Sequence, residues 1–281
     1  MVIVAILITN ISFPSFFVYL MLSSSQEKKS SISEPRAAIV DHLSLTMPNQ
    51  IFNQTVTNIL KQAGYTVDYY PSEKVTVEFY RNLPIYGHGL IILRVHSVIS
   101  RTEKLVALFT SEAYSNFKHI FMRWTNQVKK VRVNQRSPSY FGISQEFIKR
   151  SMKGRFQNSI IVMMGCNGLT YTEMAEAFIK KGAKAYISWD KAVLSSHTDQ
   201  ATTTLLQHFL MEKLTIDVAI RETSKDVGPD PLFKSLLTYY PPEAGDYTIQ
   251  NITGYITTNA REVIIAQDVL KNRKRYGIGV H

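Results

Sequence analysis

Two short runs, Leu90–Ile91–Ile92–Leu93 and Ile160–Ile161–Val162–Met163–Met164, contain no polar side chain. A strand with one wet face alternates apolar and polar residues. A strand buried on both faces reads as an unbroken apolar run, and such strands belong to parallel sheets covered by helices on each side. The intervening pattern agrees. "AAIVDHL" reads as a strand. "NQIFNQTVTNILKQAG" places Ile51, Phe52, Val56, Ile59 and Leu60 on one helical face and stops at Gly64. "YTVDYY" is a further strand, "SEKVTVEFYRNL" a helix, and "HGLIILRVHS" the third strand. "KLVALFTSEAY" reads as a hairpin or side strand. "MAEAFIKKGAKAYISW" is a helix, a stop at Gly182 and another strand. "SSHTDQATTTLLQHFLMEKL" and "TIDVAIRETSK" are helices. Strands alternating with helices of this length predict an α/β fold with a mostly parallel central sheet flanked by helices.

The 45% apolar and 19% charged shares of the 281 residues exclude a disordered chain. The net charge of +10 admits nucleic acid or an anionic surface as a partner. No zinc-finger spacing, phosphate-binding glycine loop or RNA-binding aromatic signature accompanies it, so no nucleic-acid partner is expected. One cysteine permits no internal disulfide and no multi-thiolate zinc site, and no cofactor or metal is implied.

Residues 1–22, "MVIVAILITNISFPSFFVYLML", carry no charged side chain. As a helix they would span a hydrocarbon core of ~30 Å. They read as a membrane anchor or a signal peptide, which makes the chain membrane-anchored or exported. The absence of Lys or Arg before the apolar core favours the anchor. Lys28 and Lys29 pull weakly toward a cytoplasmic body. Residues 23–35 are Ser-rich and charged, a flexible linker. The folded domain is expected over 36–245. A C-terminal extension over 246–281 reads as strands followed by a short basic helix. Residues 125–157 are rich in Lys and Arg, with Pro138 and Gly142 among them, and read as a long functional connection or a solvated flap.

His96 ends the third strand, in "RVHS", and Cys166 follows the later apolar run, in "MGCNG". In a parallel sheet both carboxyl ends open onto one edge, where α/β sheets build their sites. An imidazole there is placed to take the proton of a thiol, whose ordinary pKa is ~8.5. Backbone N–H groups at Ser97 and Cys166 would be available to an oxyanion. A lone buried Cys is also a common core residue, so both readings stand on the residues alone. His42 follows a strand with no nucleophile beside it. His88 begins a strand at the opposite edge. His119, His197 and His208 read as surface or packing residues.

The order of these elements resembles the caspase-like cysteine peptidases, which include caspases, metacaspases, gingipains, separases and CHAT domains. The resemblance lies in an apolar strand ending in His plus a small residue, then a second ending in Cys. It extends through "GCNGL", the "GA" step, the Trp-Asp strand end and the helix ending in Phe-Leu. "DVAIRETSK" and "DPLFKSLLTYYPP" continue it. It covers roughly residues 36–245 and is strongest over 158–213. It implies a caspase-like fold and a cysteine-type endopeptidase acting on protein or peptide substrates. Cys166 would be the nucleophile and His96 the general base. In the separase-like members an acid at the Trp-Asp strand end is implicated in binding a basic side chain. That carries over to Asp190, with Asp199 as the second candidate, and to cleavage after Arg or Lys. No caspase pentapeptide surrounds Cys166, so cleavage after Asp is not expected. Two positions depart from the family pattern: Ser97 stands where Gly is usual, and Gly165 precedes the cysteine, as in separases.

Overall fold

The computed structural model describes residues 35–250. The anchor or signal segment, the linker as far as residue 34, and the C-terminal extension from residue 251 lie outside the described residues.

The chain runs through β1 (Arg36–Asp41), α1 (Gln50–Gln62), β2 (Thr66–Pro71), α2 (Val77–Asn82) and β3 (Leu90–Arg94). It continues through β4 (Ser97–Ser100), β5 (Leu105–Ala113), α3 (Ile120–Trp124), β6 (Val128–Val131), β7 (Tyr140–Ile143) and α4 (Gln145–Arg150). The last elements are β8 (Ile160–Met163), α5 (Glu173–Lys180), β9 (Ala185–Trp189), α6 (Ser195–Leu206), α7 (Ile216–Val227) and β10 (Leu237–Tyr240). The central sheet has the order β10-β9-β8-β3-β1-β2. The pairs from β2 to β9 are parallel, and β10 closes the edge antiparallel to β9.

The two apolar runs are the middle of this sheet. Leu90 and Ile92 face one core, with Phe52, Val56 and Leu60 of α1 and with Ala201 and Leu205 of α6. Ile91 and Leu93 face the other, with Tyr80 of α2, Phe147 of α4 and Phe178 of α5. Ile160 and Val162 divide from Ile161 and Met163 in the same way. Fully burying one such side chain contributes about 1.5–3 kcal/mol, so neither core is dispensable.

Two helical expectations shift at their ends. Over 72–83, Ser72–Lys74 form a 3₁₀ turn and the helix proper starts after Thr76, whose hydroxyl accepts the Phe79 N–H at 3.1 Å. The helix expected over 195–214 changes to a π turn at Gln207–Met211. The connection over 125–157 is mostly built structure. It contributes β6, β7 and α4, and with β4 and β5 it forms a second, antiparallel sheet of order β4-β5-β7-β6. Val128, Phe141 and Ile143 of that sheet bury against the second core. Among the described residues no helix is long and apolar enough to cross a membrane.

Candidate functional site

The register of the central pair fixes the site. Leu93 of β3 lies beside Met163 of β8, and His96 and Cys166 each follow its own member of that pair by three residues. Parallel strands of matched length therefore carry both side chains past the same edge. The two residues line one cavity of about 190 Å³ with Leu43, Met47, Val95, Met164, Val193 and Leu194.

The Cys166 loop is clamped on both sides. Met164 N donates to Leu93 O at 2.9 Å, Asn167 N to Lys191 O at 2.8 Å, and Leu169 N to Trp189 O at 2.9 Å. Ser97 Oγ donates to the carbonyl oxygen of Cys166. The departure from Gly at position 97 thus supplies a tie between the histidine strand and the cysteine loop. Gly165 is required by space, since a Cβ there would sit 2.5 Å from Val95 O and 2.8 Å from Ser97 Oγ. Cys166 Sγ lies 3.5 Å from Val193 N and 3.6 Å from Val193 O, and its side chain packs at the border of the first core. Phe109 N donates to His96 O, so Ser97 and Leu108 form a non-hydrogen-bonded pair in which the Ser97 N–H stays off the β4–β5 ladder.

His96 is half-buried, and burial pulls its pKa below the ordinary histidine value, with the nearby positive charge of Arg94 acting in the same direction. The ring is therefore neutral near pH 7, the form that accepts a proton. His42 lies at the end of β1, next to β3. Its ring is 5.9 Å from that of His96, and both stand against Phe109. Burial first, then the proximity of His96, lowers the His42 pKa to about 4 against the opposing effects of Thr110 and Asp41. Two helical connections leave this edge in opposite directions: β1 leads to α1 on one face, while β3 leads to the second sheet and α4 on the other. Such a divergence opens a crevice. A pocket of about 360 Å³ fills it, lined by His42, Met47, Ser72, His96, Phe109 and Tyr140 among others. His96 and Met47 border both cavities.

The two acids expected to bind substrate have partners within the chain. Neither Asp190 nor Asp199 lines the Cys166 cavity. Asp190 Oδ1 accepts the Leu236 N–H at 2.7 Å and Oδ2 lies 3.9 Å from Lys191 Nζ, which ties the end of β9 to the start of β10. Asp199 is 5% exposed and grips Arg94 through two bonds, from Nε at 2.8 Å and Nη2 at 2.9 Å. Asn49 Nδ2 adds a third at 2.9 Å. The charge of Asp199 is matched within the chain, a role different from the substrate contact expected of it. Arg94 also donates to Asp41 Oδ1 and Met47 O, both at 2.9 Å. This buried cluster was not read from the sequence. Its signal was a pair of strand ends, "AAIVD" and "LIILR", that the register sets side by side as Asp41 and Arg94.

The remaining histidines have ordinary partners. His88 is 2.8 Å from Asp68 and His119 is 3.0 Å from Glu112. His197 packs on Trp189, and His208 sits between Glu212 and Asp226. Among the described residues no three His, Cys, Asp or Glu side chains group as a metal site.

No protein-family model matches the chain, and no curated protein matches it.

Proposed function

We propose that the chain is a cysteine-type endopeptidase of caspase-like fold, with Cys166 as nucleophile and His96 as general base and acid. The observation that carries the reading is the shared strand register, which sets the two side chains three residues beyond Leu93 and Met163 and on one cavity. In this mechanism His96 takes the thiol proton as Sγ bonds to the substrate carbonyl carbon. The carbonyl oxygen, now negative, lies against the Ser97 and Cys166 N–H groups. His96 returns the proton to the leaving amine as the C–N bond breaks. Water, deprotonated by the same imidazole, then attacks the thioester; the C–S bond breaks, the acid product leaves and the imidazolium returns the proton to the Cys166 thiolate. No cofactor is needed for these steps.

The preference for Arg or Lys is assigned to Asp190, whose Oδ1 accepts the Leu236 N–H and whose remaining lone pairs would meet a substrate cation. Residues 1–22 make the enzyme membrane-anchored or exported. A second reading is a non-catalytic binding or scaffold protein of the same fold at the membrane. It is favoured by the contacts of Cys166 Sγ with the Val193 backbone and the first core.

A peptide-library cleavage screen separates the two readings. Cleavage by the wild type that disappears in both Cys166→Ala and His96→Ala supports the dyad. Full activity in either variant removes it. A thiol probe that labels Cys166 slowly near neutral pH, with no peptide cleaved, supports the binding protein.

A further inference from the structure

The segment from Tyr114 to Trp124 projects apolar side chains into solvent. Phe117, Phe121 and Trp124 are 89%, 71% and 82% exposed, and Ile120 is also exposed. No residue of α3 is buried. Three large aromatics on one short protrusion depart from the scattered single apolar residues of an ordinary surface. The protrusion is nonetheless anchored. Arg123 Nη1 donates to Asn116 O at 2.8 Å, Gln127 N donates to Met122 O at 2.8 Å, and Met122 packs on the second core. At its base His119 meets Glu112 at 3.0 Å. The aromatics are therefore held outward by a built turn.

Within the segment itself the charge has one sign. Between Glu112 and Glu146 the sequence has no Asp or Glu, while it carries Lys118, Arg123, Lys129, Lys130, Arg132 and Arg136. Lys118 and Lys129 reach acids outside that stretch, Glu112 and Glu103. Arg123 and Lys130 both stand over the Tyr114 ring, at 5.1 and 5.0 Å, beside the aromatic tip. Among the described residues neither is in an ion pair with a carboxylate. An aromatic tip with Arg123 and Lys130 at its side, and no carboxylate in the segment, complements a surface that is apolar inside and negative at its rim. That is the chemistry of an anionic bilayer: Trp and Phe settle at the headgroup boundary and Lys or Arg meet the phosphates. We propose that this tip docks the folded body onto an anionic membrane surface, as a contact separate from residues 1–22 and independent of any catalytic activity.

The two tryptophans make the test local. Trp124 is exposed, Trp189 is 1% exposed, and residues 1–22 contain none. The full chain is mixed with vesicles of phosphatidylcholine alone or with phosphatidylglycerol added, and tryptophan emission and quenching by brominated lipid are recorded. With anionic vesicles the emission should move to shorter wavelength and be quenched by the lipid bromines. Trp124→Phe should abolish both changes, and Phe117→Ser with Phe121→Ser should remove most of the blue shift seen at Trp124. Each cation near the surface contributes enough that Arg123→Gln should weaken the response roughly fivefold in lipid concentration. All these positions are exposed or partly exposed, and circular dichroism checks that the fold is kept. An unchanged Trp124 signal on anionic vesicles overturns the proposal, even if residues 1–22 hold the chain in the pellet. Equal responses to neutral and anionic vesicles overturn the role given to charge. Shielding of Trp124 that grows with protein concentration, without lipid, assigns the tip to a second copy and overturns it as well.

Discussion

Arg94→Met removes a cation that is 1% exposed from between two carboxylates, Asp41 at 0% and Asp199 at 5%. Its guanidinium makes four hydrogen bonds, at 2.8 to 2.9 Å, to Asp199, Asp41 and the Met47 carbonyl. After the change Asp41 retains Asn53 and Tyr69, each at 3.0 Å, and Asp199 retains Asn49 at 2.9 Å. Those neutral donors do not offset two negative charges in the interior. Taking one partner from a buried pair costs about 3–5 kcal/mol, and the surviving hydrogen bonds place this case near ~4 kcal/mol. Domains of ordinary stability hold about 5–15 kcal/mol, so the variant should keep its fold with a much reduced urea midpoint and an unchanged denaturant slope. The triple variant Arg94→Met, Asp41→Asn, Asp199→Asn removes all three charges together. It should regain most of the loss, since the deficit comes from unpaired charge and the sites are coupled. A loss under about 1 kcal/mol in Arg94→Met, or a triple variant no better than the single, would refute the reasoning.

Other expectations follow from the buried and paired groups. His42 titrates near 4 when folded and near 6.5 when unfolded, so its neutral form adds stability above pH 6.5 that is lost as pH falls toward 4. The full loss is about 3 kcal/mol, and urea midpoints at pH 7 and pH 4 should fall less in His42→Leu than in the wild type. His208 has the opposite sign. Burial lowers its pKa, but Glu212 and Asp226 outweigh that and raise it, so its stabilisation is full below pH 6.5 and fades as pH rises through the higher folded value; His208→Gln should flatten that part of the profile. If the dyad is catalytic, the acid limb of kcat/KM should lie below pH 6.5 because burial and the Arg94 charge lower the His96 pKa. Gly165→Ala forces a Cβ to within 2.5 Å of Val95 O and should cost about 1–3 kcal/mol, read in the same denaturation assay.

The parts of the fold that were legible are those where periodicity and burial coincide. Unbroken apolar runs marked β3 and β8, and an apolar stripe marked α1, of which Phe52, Val56, Ile59 and Leu60 are buried while Ile51, read onto the same face, is 78% exposed. Of the second sheet only β5 was legible, as the side strand in "KLVALFTSEAY". Its strands β6 and β7 are four residues each, β6 reads "VKKV" and looks like a charged loop, and the pairing of β5 with β7 shifts register between Phe109 and Ala113. The site was half legible. His96 and Cys166 could be placed because both end apolar strands. The neighbourhood of His42 depends on β1 lying beside β3, a spatial order that no local pattern carries. Asp199 was visible as an acid near a helix start, but its partner Arg94 lies 105 residues away.

The bond from Ser97 Oγ to the Cys166 carbonyl makes two loops behave as one part. Ser97 is the first residue of β4, so the small antiparallel sheet is mechanically in series with the turn that carries the thiol. A load applied to β4 has a direct route to the Cys166 backbone through this one hydroxyl, beside the routes through the chain at His96 and through the second core, where Val106 and Leu108 are buried. That hydroxyl can be deleted by Ser97→Ala with the loss of a single oxygen, which makes this one tie separable while the chain and the core packing still join the two sheets.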